Sequence, residues 1–267
     1  MTRDAVESLR VNLDDLAGVL ATLDEAEWES PSACAGWRVQ DLVAHMNSSA
    51  KLMTGQQAPP AVEGDRPGAE SLAELLIEEQ KGWSWEQVYA EFGPLNEGFL
   101  AAVGMMQEDP VASTEADLGD LGVHQTHWLA NAFAFDTYCH LRHDILGPDT
   151  SIERELPAST DDRLRPGIDW MLAGLPQMCR DALAPVVTGV IQFELTGPGG
   201  GTWTMAPAGS DGLVSIAEGP AEADATVVSS AHDFYSWGTK RSDWRNACEL
   251  RGDADLAAAV LDAINVI

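Results

Sequence analysis

The sequence predicts an α plus α+β chain: an N-terminal four-helix bundle followed by a small C-terminal α+β domain. Three observations predict it. Apolar residues recur at helical spacing through the first 146 residues. After Pro185 the period changes to two. Between these regions lies a stretch broken by Pro and Gly. The expected boundaries are 1–150 for the bundle, 151–184 for a linker and connecting helix, and 185–267 for the α+β domain.

Val6, Leu9, Leu13, Leu16, Leu20 and Leu23 fall on one stripe of a first helix, with Arg10, Asp14 and Asp15 off it. A loop through Pro31 and Gly36 leads to a second helix, from about Arg38 to Met53. Its stripe is Val39, Leu42, Val43, Met46, Ala50 and Met53, with His45 at the edge. Gly55 to Gly68 reads as a Pro/Gly-rich loop, and Ala69 to Gln80 as a short helix. Trp85, Val88, Phe92, Leu95, Phe99, Val103 and Met106 mark a third long helix, with a kink expected at Pro94. Glu108 to His124 is acidic and reads as irregular. Asn131 to Leu146, free of Gly and Pro, is the fourth long helix. Four such stripes bury one another best as a bundle.

Thr160 to Leu183 predicts one more helix, interrupted by Pro166 and Pro176. Ile191, Phe193 and Leu195 then alternate with polar residues, as in a half-buried strand. Gly199-Gly200-Gly201 joins two strands and reads as a hairpin turn, not a phosphate cradle. Asp211-Gly212 signals a second hairpin, followed by a strand Leu213 to Ile216. Further strands are expected at Ala223–Ser229 and Ala247–Leu250. Ser230 with Asp233 caps a short helix, and Asp253 to Val266 closes the chain as a helix.

Composition narrows the function. The formal net charge is −28, with 43 acidic against 15 basic side chains. Such a surface repels phosphate backbones and anionic lipid, which argues against nucleic acid or membrane as partners. The four cysteines, Cys34, Cys139, Cys179 and Cys248, are widely spaced. That argues against a disulfide scaffold or a cysteine-based zinc site and fits a reducing cytoplasm. No signal-like or membrane-spanning run is expected. A monomer or homodimer acting on small molecules is expected. His124 and His127 read as surface residues.

The chemistry concentrates on the fourth helix. Helical spacing puts Asp136, His140 and His143 on one face with Leu129, Ala132 and Phe133. A carboxylate and two imidazoles on an apolar face must be paired, neutral or metal-bound. Asp136 and His140, four residues apart, supply the carboxylate–histidine pair of a bundle metal site, and His45 could supply a third ligand. By spacing alone, a salt-linked pair is the commoner outcome.

Trp28, Pro31, Ser32, Cys34, Gly36, Trp37, Val39, Asp41, Leu42 and His45 form a motif that resembles the entry to the second helix in the mycothiol-dependent maleylpyruvate isomerase family, a branch of the DinB-like metal-binding bundles. The Asp136/His140 spacing resembles that family's later Glu/His pair. The resemblance covers roughly residues 3–146. It implies a divalent metal, zinc with nickel as the alternative, held by His45, Asp136 and His140. Two departures stand out. Asp136 is shorter than Glu by a methylene. His143 stands where the family often has Asp, and Asp144 comes one later. His143 is thereby a candidate fourth ligand or supporting residue.

The C-terminal part resembles the sterol-carrier-like domain that follows the bundle in those isomerases. Its matching features are Gly201 and Trp203, Ala223-Asp224-Ala225, Ser230 to Phe234, and Gly252-Asp253. Arg241 and Arg245, with Trp203 and Trp237, are candidates to face a carboxylated substrate, although an Arg on a solvated face or a Trp in the core is the commoner outcome for each. The resemblance implies an enzyme that uses a low-molecular-weight thiol such as mycothiol. Its thiolate would add to an activated double bond, giving isomerisation or S-transfer. The alternatives are a non-catalytic protein that binds an apolar ligand in the C-terminal domain beside a degenerate metal site, and a metal-binding regulatory protein without turnover.

Overall fold

The structure, a computed structural model, describes residues 2–60 and 68–266. Half of the expected Gly55–Gly68 loop, residues 61–67, lies outside them. The chain divides into two compact units. One comprises Met1–Gly119 and His124–Ala158; the other comprises Asp120–Val123 and Ser159–Ile267. The helix expected as a connector therefore belongs to the second unit. No helix among the described residues is long and apolar enough to cross a membrane.

The first unit is built on α1 (Arg3–Leu20), α2 (Val39–Met53), α3 (Ala69–Ile77), α4 (Trp85–Met105) and α5 (Leu129–Cys139). Helix α1 packs on α4 and α5, and α2 on α3 and α4. The core is the set of stripes read from the sequence. Leu9, Leu13, Leu16 and Leu20 meet Leu42, Val43 and Ala50, the α4 stripe from Val88 to Val103, and Ala130 and Ala134. Phe99 sits edge-on to Phe133, with ring centroids 4.8 Å apart. Helix α4 runs on through Pro94. Helix α2 starts where Arg38 N–H donates to Asp41 Oδ2 at 2.9 Å, which satisfies one of the amides a helix start leaves open.

Three expectations change here. The stretch from Glu108 to His124 holds two short strands, Glu115–Asp117 and Val123–Gln125, rather than being wholly irregular. His124 and His127 are buried, not surface. The His127 carbonyl accepts from buried Gln107 Nε2 at 2.9 Å and from Thr2 Oγ1 at 2.9 Å. Last, the helix begun by α5 does not stay α-helical to Leu146: from His140 to Ile145 it widens into a π turn.

The second unit opens with α6 (Asp161–Met178), which accommodates both Pro166 and Pro176. Its sheet comprises β1 (Ile191–Thr196), β2 (Gly201–Ala206), β3 (Ser215–Glu218), β4 (Ala225–Ser230) and β5 (Glu249–Gly252), in the order β3-β2-β1-β4-β5. Strands β1 and β4 are parallel, Ile191 opposite Ala225; the other neighbours are antiparallel. Helices α7 (Ala231–Gly238) and α8 (Ala254–Ala263) complete the unit. Ser230 Oγ accepts from Asp233 N–H at 2.9 Å, the cap the sequence announces.

Three strands, β3, β4 and β5, begin two residues later than the sequence suggests. Leu213 is still in the turn: its N–H donates to Asp211 Oδ1 at 3.0 Å and its carbonyl accepts from Gly209 N–H at 3.0 Å. Likewise Ala247 and Cys248 are held by the Trp244 carbonyl, both at 2.9 Å.

Gly252 has φ +76°, and a Cβ there would lie 2.4 Å from the Asp224 carbonyl oxygen. Gly252→Ala is therefore expected to destabilise this unit by at least about 1–2 kcal/mol from the backbone alone, with the overlap adding more. A urea melt showing parental stability would refute this.

Candidate metal centre

Helix α5 buries Ala130, Ala134 and Tyr138, whereas Leu129, Ala132, Phe133 and Asp136 are half-buried. The stripe that carries Asp136 is therefore a partly open face, not the core face. His45, on α2, has a side chain 15% exposed, and His140 one 9% exposed.

These three residues converge. Asp136 Oδ1 lies 3.1 Å from His140 Nε2, and Asp136 Oδ2 lies 3.9 Å from His45 Nε2. The two imidazoles meet edge to face, with centroids 5.4 Å apart. One ligand atom from each residue lies within 4.8 Å of the others. Trp37 packs on the His45 ring at 5.4 Å, and its indole N–H donates to Glu74 Oε1 at 2.5 Å. That hydrogen bond fixes the wall beside His45.

The π turn sets the far side of His140. Leu146 N–H donates to the Leu141 carbonyl at 3.1 Å, an i→i+5 bond. The wider turn rotates less per residue, so residue i+3 stops short of the face of residue i while i+4 comes close to it. His143 is accordingly turned out of the cluster, with its ring 6.2 Å from Tyr138. Asp144 takes the supporting place instead: its Oδ2 is 2.8 Å from His140 Nδ1, and the carboxylate is buried. The expectation that His143 shares the Asp136/His140 face is thus corrected.

Electrostatics separate the two histidines. Burial pulls His45 down to about 4, with Asp136 opposing and His140 adding to the shift. Burial also works against a charged His140, but Asp136, Asp144 and Cys34 outweigh it and hold this ring well above the usual histidine range. A salt-linked imidazolium therefore suits the metal-free state.

The residues also fit a divalent cation. His140 Nε2, the ring nitrogen that faces Asp136, is buried and makes no hydrogen bond among the described residues. Asp144 holds the proton on His140 Nδ1, which directs the Nε2 lone pair toward Asp136. Two imidazoles and a carboxylate make a zinc-type donor set. Their 3.1 and 3.9 Å separations bracket the ~3.4 Å between ligands around tetrahedral zinc.

Sequence reasoning missed two neighbours of this centre. Asp144 is one; Cys34, which groups with His140 and Asp144, is the other. The signal for Asp144 was its place one residue past the family's usual Asp. For Cys34 it was only membership of the loop motif.

The candidate substrate residues take the ordinary places that the sequence favours for them, Trp in the core and Arg on a solvated face. Trp203 and Trp237 are buried. Arg165 caps the Trp203 ring at 5.0 Å, and Trp237 Nε1 donates to Ser229 Oγ at 3.0 Å, so both are core residues. Arg245 is exposed, stacks on Trp244 at 4.3 Å and pairs with Asp262 at 3.1 Å. Arg241 is exposed.

Residues 9–146 match the family described as "Mycothiol maleylpyruvate isomerase N-terminal domain". No curated protein matches the chain. Among solved structures, the mycothiol-dependent maleylpyruvate isomerase and a histidine-to-alanine mutant of it superpose with a TM-score of 0.58 at 11% identity. Each match covers 94% of this chain and 92% of the other. The likeness extends the shared fold over both units. With more than half its length matched by the family's own domain, the chain belongs to the mycothiol maleylpyruvate isomerase N-terminal domain family.

Proposed function

We propose that this protein is a metal-dependent enzyme that uses a low-molecular-weight thiol, similar to maleylpyruvate isomerase. The observation that carries the reading is the convergence of half-buried His45 and Asp136 with buried His140, with Asp144 behind His140. In this reading His45, Asp136 and His140 hold a divalent cation of the zinc or nickel type. A cation bound there supplies Lewis acidity, which keeps a thiol of the mycothiol kind as thiolate at neutral pH.

The chain's own residues do the rest. Asp144 keeps the Nδ1 proton on His140 and so fixes the tautomer. Trp37, pinned by Glu74, shields the His45 side of the centre from water. The half-buried α5 face leaves an approach for an electrophile. The thiolate sulfur bonds to one carbon of an activated double bond, and the π electrons move into the acceptor. Rotation about the resulting single bond, then loss of the same thiolate, gives the other geometric isomer. Retention of the sulfur, with a proton taken up at the neighbouring carbon, gives S-transfer.

The test is zinc-loaded protein incubated with mycothiol and maleylpyruvate, with products followed by chromatography and mass spectrometry. The expected result is an isomer or a thiol adduct that forms only when both metal and thiol are present. If neither forms across a panel of thiols and related electrophiles, the enzymatic reading fails.

A further inference from the structure

We propose that Cys34, His140 and Asp144 form a second cation seat, on the Nδ1 edge of His140, for a thiophilic divalent cation of the zinc type. It does not depend on a metal at the His45 centre, because it uses the other ring nitrogen.

The donors are already gathered. Ligand atoms of Cys34, His140 and Asp144 lie within 4.8 Å of one another, and Asp144 Oδ2 is 2.8 Å from His140 Nδ1. His140 and Asp144 are buried and Cys34 is half-exposed, so the thiol stands on the solvent side of the group. The loop that carries it is held in place on both sides. Ser32 N–H donates to the Trp37 carbonyl at 2.9 Å, and Cys34 N–H donates to Ser32 Oγ at 3.2 Å. Ala33 N–H donates to the Asp144 carbonyl at 2.9 Å, tying the loop to the π turn.

The chemistry suits a borderline-soft metal. Thiolate, imidazole and carboxylate are all zinc ligands, and thiolate selects against magnesium and calcium. On binding, the Cys34 S–H and His140 Nδ1–H protons leave to solvent, while Asp144 exchanges its hydrogen bond for a metal bond. Thiolate and carboxylate together balance the dication, so the buried group gains no net charge. When both seats are filled, the His140 ring bridges two cations.

Cobalt(II) titration of the full chain tests this, because thiolate ligation gives a sulfur-to-cobalt charge-transfer band in the near ultraviolet. The parent is expected to take two cobalt ions and show the band. Cys34→Ser should lose the band and one ion. His45→Ala, which touches only the other centre, should keep the band and lose the other ion. Thermal melts of both variants check that they fold. Cobalt bound without the band, a band that survives Cys34→Ser, or a band lost in His45→Ala would each overturn the second seat. The first of these leaves the His45 centre standing, whereas absence of any cobalt would remove both.

Discussion

His45→Ala and Asp136→Ala are each expected to strip zinc from the purified protein, weakening affinity by at least about 100-fold. Even residues that merely support a ligand cost 10–100-fold when removed, so loss of one of three ligands must cost more. Measured in a Cys34→Ser background, only the His45 centre reports. The pH dependence should be equally specific. His45, held down to about 4, is already neutral at neutral pH and offers its lone pair without releasing a proton. His140, held well above its usual range by Asp136 and Asp144 against the effect of burial, carries a proton that a cation must displace. Zinc affinity should therefore rise about tenfold per pH unit through neutrality, one proton released per metal. A slope of two, or of zero, would contradict this assignment. In the metal-free protein the two rings act in opposite directions on stability. The His140 contribution is full below about pH 6.5 and is lost as pH rises through its raised folded value. The His45 contribution is present above about 6.5 and is lost as pH falls toward 4.

The bundle was legible because its signal is local. Leu9, Leu13, Leu16 and Leu20 are spaced to share a helix face, and all four are buried. The Asp136/His140 pair was legible for the same reason. The partner across the bundle, His45, was one candidate from its place at the edge of the α2 stripe and was singled out by the loop motif, since nothing in a single helix records what faces it. The π turn left no mark in the periodicity: one extra residue per turn shifts the register by too little to read, and so His143 was expected where Asp144 stands. Cys34 was illegible because a backbone bond, Ala33 N–H to the Asp144 carbonyl, brings its loop over His140. Backbone bonds carry no side-chain signature. His124 and His127 were misplaced because hydropathy cannot distinguish a solvated imidazole from a buried one. The late starts of β3 and β5 have one cause: capping bonds at Asp211 and Trp244 extend each turn by two residues.

Asp144 gives the second large effect, and it separates the π turn from its neighbours. Asp144→Ala removes one partner of a buried pair, leaving His140 Nδ1 with no acceptor in a site where His140 is 9% and Asp144 2% exposed. The expected cost is about 3–5 kcal/mol of stability in the metal-free protein and about 10–100-fold in zinc affinity. Asp144→Asn keeps an acceptor oxygen toward Nδ1 and should cost far less stability, while still weakening zinc through the lost charge. His143→Ala should leave zinc affinity within about twofold, because that ring packs by Tyr138 and not in the cluster. Removing His143 outright is the sharper test. If the π turn exists to absorb one inserted residue, its deletion restores an ordinary α turn with Asp144 three places after His140, and Ile145 keeps its place in the core. The deleted protein should fold and bind zinc. Equilibrium zinc competition in the Cys34→Ser background, where only the His45 centre reports, with calorimetric melts, reads all four variants. A deletion that abolishes zinc binding, or a His143→Ala loss as large as that of Asp144→Ala, would put the supporting role on His143 and refute the assignment to Asp144.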